Sequence, residues 1–114
     1  MRLKRIEQEI KELVAGILWR LGNSKLSFVT ITHVQVSPDL AHAKVLYSYL
    51  GSQDEQKKAH FELKGVSGYI TGKLGKQIRL KSTPKLRFVF DPSLQKAAVI
   101  GDLIQQVNQE TKVS

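Results

Sequence analysis

The sequence has no cysteine, and its 114 residues include only one methionine, one tryptophan and three prolines. Without cysteine the chain can form no disulfide framework, no thiolate zinc site and no cysteine nucleophile, and a reducing compartment fits this composition. Its apolar runs are far shorter than the roughly 20 residues of a membrane helix. The basic N-terminus lacks the apolar segment of a secretory signal peptide. We therefore expect a cytoplasmic protein that does not contact a membrane.

The sequence motifs of catalysis are also lacking. The three histidines, His33, His42 and His60, do not stand at a metal-ligand spacing. The acidic residues are scattered, and there is no nucleophile elbow, no Walker A loop and no dinucleotide-binding fingerprint. We therefore predict a protein that is not an enzyme and has no catalytic residue, metal site, cofactor or small-molecule substrate.

What the chain does have is a surplus of positive charge within one segment. Its 18 Lys and Arg against 10 Asp and Glu give a net charge of +8. Residues 57–87 hold nine basic residues and one acid, Glu62, so the rest of the chain is neutral. Such segregation indicates contact with nucleic-acid phosphates, and the excess of lysine over arginine favours backbone contact over base readout. The predicted RNA-binding residues are Lys57, Lys58, Lys64, Lys73, Lys76, Arg79, Lys81, Lys85 and Arg87.

The spacing of apolar residues predicts the first elements. Steps of three and four residues predict an amphipathic helix over 2–21. β-Branched residues predict a strand over 27–37, with either a bulge near His33 or cover on both faces of part of the strand. Alternation predicts a second strand over 41–50. The turn chemistry of residues 37–40 joins the two strands as an antiparallel hairpin.

A helical region with four glycines follows this hairpin. Because each glycine costs up to ~1 kcal/mol within a helix, we predict two helices that meet at a kink around Ser67-Gly68. Asp54 is expected to cap the first of them. A third strand is predicted over 85–90, and apolar spacing then predicts an amphipathic helix from Ser93 to about Asn108.

These elements predict an α+β fold, with helices on one face of a three-stranded sheet and an added C-terminal helix. The chain is long enough for one domain with one modest core. We assign that domain to residues 1–92 and place the C-terminal helix with a frayed tail in residues 93–114.

Four sequence motifs stand in a fixed order along the predicted domain. They are VTITHVQVSPDLAHAKV at 29–45, SGYI at 67–70, LGKQIRLK at 74–81 and PKLRFVFDPS at 84–93. Together with the opening helix, they resemble the bacterial ribosome-binding factor A family over about residues 2–107. Several motifs in one order are far more specific than the lone G-x-x-G formed by Gly65 and Gly68.

The resemblance implies a type II KH-like fold, αββααβ, which agrees with the predicted element order. It implies a factor that binds the small ribosomal subunit and its rRNA, and we take a monomer as the default oligomeric state. Such a factor supports late maturation of 16S rRNA, including processing of the 5′ end, and is important for growth in the cold. The family also has an interhelical kink of the form Ala-x-Gly, and Val66, Ser67 and Gly68 occupy those positions here, with valine in place of alanine.

Two other function classes are left open. A stand-alone KH-type regulator of messenger RNA or single-stranded DNA would need base readout, and few aromatic residues lie among the predicted RNA-binding residues. A protein-interaction module would use the apolar stripe of the predicted C-terminal helix as its docking surface, although that stripe can equally pack on the domain.

Overall fold

The computed structural model describes residues 2–22 and 25–93. Five elements follow one another along this part of the chain: α1 (Arg2–Leu21), β1 (Val29–Val36), β2 (His42–Tyr49), α2 (Gln53–Gln77) and β3 (Lys85–Phe90). The predicted C-terminal helix and tail, beyond Ser93, lie outside the described residues.

The three strands form one mixed sheet in the order β1-β2-β3. β1 and β2 pair antiparallel, as the hairpin prediction requires, and β3 pairs parallel with β2 after the crossover through α2. The register passes from Ile31 opposite Tyr47 to His33 opposite Leu46, so Thr32 is an extra residue. This bulge confirms one of the two predicted explanations for the imperfect alternation of β1.

The core lies between the sheet and the two helices. Along β2, Ala43, Val45 and Tyr47 have no exposed surface, whereas His42 and Lys44, which alternate with them, are exposed. Helix α1 contributes a stripe of buried apolar residues to the same cluster, and α2 contributes another. The α+β architecture with helices on one face of the sheet is therefore confirmed.

The structure differs from the expected element order in one respect, because a single helix runs through Ser67 and Gly68. The glycines disfavour this helix by up to ~1 kcal/mol each. The wholly buried stripe of Leu63, Ile70 and Leu74 stabilises it by roughly 1.5–3 kcal/mol for each side chain. Packing therefore outweighs the low helix propensity of this segment.

The first turn of α2 is capped by Ser52 and not by Asp54, so the predicted cap is wrong. The Ser52 hydroxyl accepts a hydrogen bond from the backbone N–H of Glu55 over 3.1 Å, and the Glu55 carboxylate accepts from the Ser52 N–H over 3.3 Å. This reciprocal capping box satisfies two backbone donors, whereas Asp54 lies in the first helical turn.

Candidate nucleic-acid interface

The predicted RNA-binding residues lie on α2, on the connection after it and on β3. Eight of the nine side chains are exposed, and Lys73 is half-buried. Since α2 and β3 pack against each other, the charged segment of the sequence is also a single region of the fold. None of these side chains is needed to fill the core.

Helix α2 divides its lysines between two flanks. Seven residues make about two helical turns, so Lys57 and Lys64 lie on the same flank. By the same periodicity Lys58, Lys73 and Lys76 lie together on the other flank. The helix therefore carries two basic surfaces, a division that net charge along the sequence does not reveal.

One flank borders an open cleft of about 360 Å³ between α2 and β3, which we call the β3 groove. Its lining residues are His60, Lys64, Ser67, Leu86, Arg87, Phe88, Val89 and Phe90. Lys64 and Arg87 come from different elements, and the fold brings them to the same cleft. Lys64 therefore brings positive charge to the groove from the helix side. Arg87 lines the groove from β3, where its side chain alternates with buried Leu86 and Phe88 and so lies on the sheet face away from the helices.

A further basic residue extends the charge beside Arg87. In the parallel register of β2 and β3, Arg87 lies beside Lys44, and both side chains are exposed. Lys44 stands outside the charged segment 57–87, so the charge distribution along the sequence did not predict it. The available signal was its position between buried Ala43 and Val45, which directs it to the exposed face of β2.

The other flank of α2 holds an ion pair and an aromatic contact. The single acid of the charged segment, Glu62, lies 3.5 Å from the ammonium of Lys25. The ammonium of Lys73 lies 5.6 Å from the ring centroid of Tyr69, a cation–π distance. Tyr69 is 52% exposed and Phe61 is 76% exposed, so two aromatic side chains on α2 face solvent.

A polar network underlies the β3 groove. The hydroxyl of buried Tyr47 lies 2.7 Å from Nδ1 of His60 and accepts a hydrogen bond from the amide nitrogen of Gln56 over 3.0 Å. Burial, and next the charge of Lys64, lower the pKa of His60, while burial raises the pKa of Tyr47. His60 is therefore neutral at neutral pH, and no motif in the sequence had assigned it a role.

The predicted kink residues lie within the continuous helix. The Ser67 hydroxyl donates to the carbonyl of Lys64 over 2.9 Å, and the Thr71 hydroxyl donates to the carbonyl of Ser67 over 2.8 Å. Bonds of this kind often accompany helix bending. A Cβ added at Gly68 would have no other atom within 4 Å, so packing does not demand glycine there. A bend at Val66–Gly68 stays a prediction.

Within residues 2–22 and 25–93, no group of His, Asp and Glu side chains is arranged to hold a metal ion. The helices of the same part of the chain are too short or too polar to cross a membrane.

Comparison with known proteins places this charged fold in a family. The family model described as ribosome-binding factor A matches residues 2–104. Ribosome-binding factor A of Natranaerobius thermophilus is 37% identical over 109 residues, which cover 95% of this chain and 83% of that protein.

Solved structures agree with the assignment. The solution structure of a candidate ribosome-binding factor A of Thermotoga maritima is 32% identical, with a TM-score of 0.71 over 78% of this chain and 86% of that one. A Thermus thermophilus ribosome-binding factor A model, fitted into a cryo-EM map of a 30S complex, shares the fold at 19% identity, with a TM-score of 0.66 over 77% and 93% of the two chains. The chain belongs to the ribosome-binding factor A family.

Proposed function

We propose that this protein binds the small ribosomal subunit through rRNA phosphates and acts without catalysis. The observation that carries the proposal is the concentration of the whole positive surplus on α2, β3 and their connection. The Thermus thermophilus relative, which was fitted into a map of a 30S complex, supports the choice of ligand. The protein works as a monomer in the cytoplasm.

The function of the bound factor is to hold rRNA in one conformation. A protein that binds one RNA conformation more tightly than another shifts the population towards it, with no covalent step. We assign this shift to late maturation of 16S rRNA, including processing of its 5′ end, and expect the greatest need for it in the cold.

The basic residues divide the work between two surfaces. Lys64 and Arg87 contact RNA at the β3 groove, with Lys57 and Lys85 nearby on the same elements. Lysines of the other flank and the connection contact a second stretch of backbone, namely Lys58, Lys73, Lys76, Arg79 and Lys81. Gly68 contributes by letting α2 bend so that both surfaces meet the RNA.

The experiment is co-sedimentation with purified small subunits at rising salt. The double charge reversal of Lys64→Glu with Arg87→Glu should weaken association. The slope of log affinity against log salt should also become shallower, by roughly 0.7 for each phosphate of single-stranded RNA that the variant no longer neutralises. The double variant Lys73→Glu with Lys76→Glu should likewise weaken association and make its salt dependence shallower.

The matched control is Lys4→Glu with Arg5→Glu, which makes the same change in net charge at two exposed positions of α1. It should lower affinity far less, because long-range steering alone is screened at physiological salt. Equal reductions of affinity in all three double variants would mean that net charge and not a defined surface drives association, and the residue assignments would then be wrong.

A further inference from the structure

The buried hydroxyl of Tyr47 has two polar neighbours, and their geometry fixes the direction of its proton. The Gln56 amide nitrogen lies 3.0 Å away and, as an amide nitrogen, can only donate. Tyr47 has no exposed surface, so its own proton must go to its second neighbour. That neighbour is Nδ1 of His60, 2.7 Å away.

This direction fixes the tautomer of His60. A neutral imidazole has one N–H and one bare nitrogen, so Nδ1 as the acceptor leaves the proton on Nε2. Burial lowers the pKa of His60, which keeps the ring neutral. The Nε2–H is therefore an oriented donor on the edge of the ring that does not face Tyr47.

Because it points away from Tyr47, this edge is the one that His60 can present to the β3 groove. His60 lines the groove beside Lys64 and Arg87, and the described residues that line it include no carboxylate. The hydroxyl of Ser67 is engaged with the carbonyl of Lys64. The groove thus offers the Lys64 ammonium and one fixed neutral donor, a set suited to the oxygens of a phosphodiester.

We propose that His60 binds an RNA phosphate in the β3 groove, with its Nε2–H donating to one phosphate oxygen while Lys64 neutralises the charge. The choice of RNA rests on the proposed function. RNA is also favoured over an acidic protein because further lysines continue along α2, where a chain of phosphates can extend.

The first test measures binding of a labelled oligouridylate and of small subunits to the full chain. His60→Leu should weaken oligouridylate binding by roughly ten- to a hundredfold, the cost of one hydrogen bond to a charged group. His60→Gln should recover most of the affinity, since its amide can accept from Tyr47 and still donate into the groove. His42→Leu, at an exposed histidine outside the groove, should change nothing.

The second test reads the tautomer in the unmodified protein by ¹⁵N NMR. The proton should be on Nε2, and the Nε2 signal should shift when oligouridylate is added. Tyr47→Phe removes the hydroxyl that donates to Nδ1 and should populate both tautomers, with a smaller reduction of binding than His60→Leu. A proton on Nδ1, or an Nε2 signal that does not move at saturation, would overturn the inference.

The outcomes separate this inference from the proposed function. If small subunits bind the wild-type protein and the His60→Leu variant equally well, the inference would be refuted and the proposed function would be unaffected. If oligouridylate binding depends on His60 but the protein does not bind small subunits, the phosphate site would be supported and the proposed function would be refuted. Polyglutamate that binds with the same dependence on His60 would refute the choice of RNA.

Discussion

At the scale of single residues, His60 links stability to pH. Its pKa is lowered from the ordinary value of 6.5, first by burial and then by Lys64, so the folded protein prefers the neutral ring. This preference contributes stability that is present above pH 6.5 and is lost as the pH falls through the lower folded-state pKa.

Urea unfolding between about pH 8 and pH 5 checks this linkage. The free energy of unfolding should fall with acidification in the wild-type protein and should fall less in His60→Gln, which cannot take up the proton. Parallel curves for the two proteins would show that His60 is not the responsible group. Carboxylates with lowered pKa values, such as Asp39 and Glu55, titrate at lower pH and do not interfere.

The cap of α2 gives a second prediction at this scale. Ser52→Ala removes the acceptor for the Glu55 N–H and should lower the free energy of unfolding by about 1 kcal/mol. Chemical denaturation measures this change. Asp54→Ala is the matched control, since Asp54 lies in the first turn but is not the cap, and it should cost less. A larger loss of unfolding free energy in Asp54→Ala than in Ser52→Ala would contradict this prediction and would indicate that Asp54 is the cap.

The sequence contains one indication of the Tyr47 network, a polar residue on the buried stripe of α2, which a search for apolar residues alone passes over. Gln56 precedes Ala59 and Leu63 by three and seven residues, so it stands on the buried stripe of α2. A glutamine there needs a partner, because burying an unpaired amide is costly. Which partner it finds depends on β2, a contact that only the folded chain makes.

At the scale of elements, two glycines of α2 allow the effect of glycine on helix stability to be tested separately from its effect on helix bending. A Cβ at Gly68 or at Gly72 would have no other atom within 4 Å, so alanine at either position should stabilise the helix by roughly 0.5–1 kcal/mol. If Gly68 serves the bend, Gly68→Ala should raise the melting temperature and weaken small-subunit binding. Gly72→Ala should raise the melting temperature alone.

Equal subunit binding by the two alanine variants would contradict the role given to Gly68. A fall in melting temperature in Gly68→Ala alone would mean that the backbone there needs glycine for its own geometry. Thermal melting followed by co-sedimentation on the same samples distinguishes these results.

The elements themselves differ in how far the sequence predicts them. Helix α1 and strands β2 and β3 were predictable because each has its own apolar periodicity, and β1 was predictable from its β-branched residues. The continuity of α2 was not, since its glycines favour a break and only packing against the sheet and α1 stabilises one helix through them. The bulge at Thr32 was one of two open explanations, and pairing with β2 decided between them.

At the scale of the whole molecule, the segment that carries the positive charge was predictable from the sequence. The distribution of that charge over the surface of the fold was not. Counting residues places the surplus between Lys57 and Arg87. The fold then divides it between two flanks of α2, brings Lys64 and Arg87 to one groove, and adds Lys44 from β2. This surface distribution depends on how α2 is rotated about its axis and on how the strands are registered. Counting charged residues along the sequence gives neither.

The central claim is that this protein binds small-subunit rRNA, and crosslinking in cells followed by RNA sequencing tests it most directly. We predict that crosslinked fragments concentrate in 16S rRNA and that they disappear in the Lys64→Glu with Arg87→Glu variant, while Lys4→Glu with Arg5→Glu retains them. Fragments spread over messenger RNAs and sharing a short motif would contradict the claim and point to a KH-type regulator.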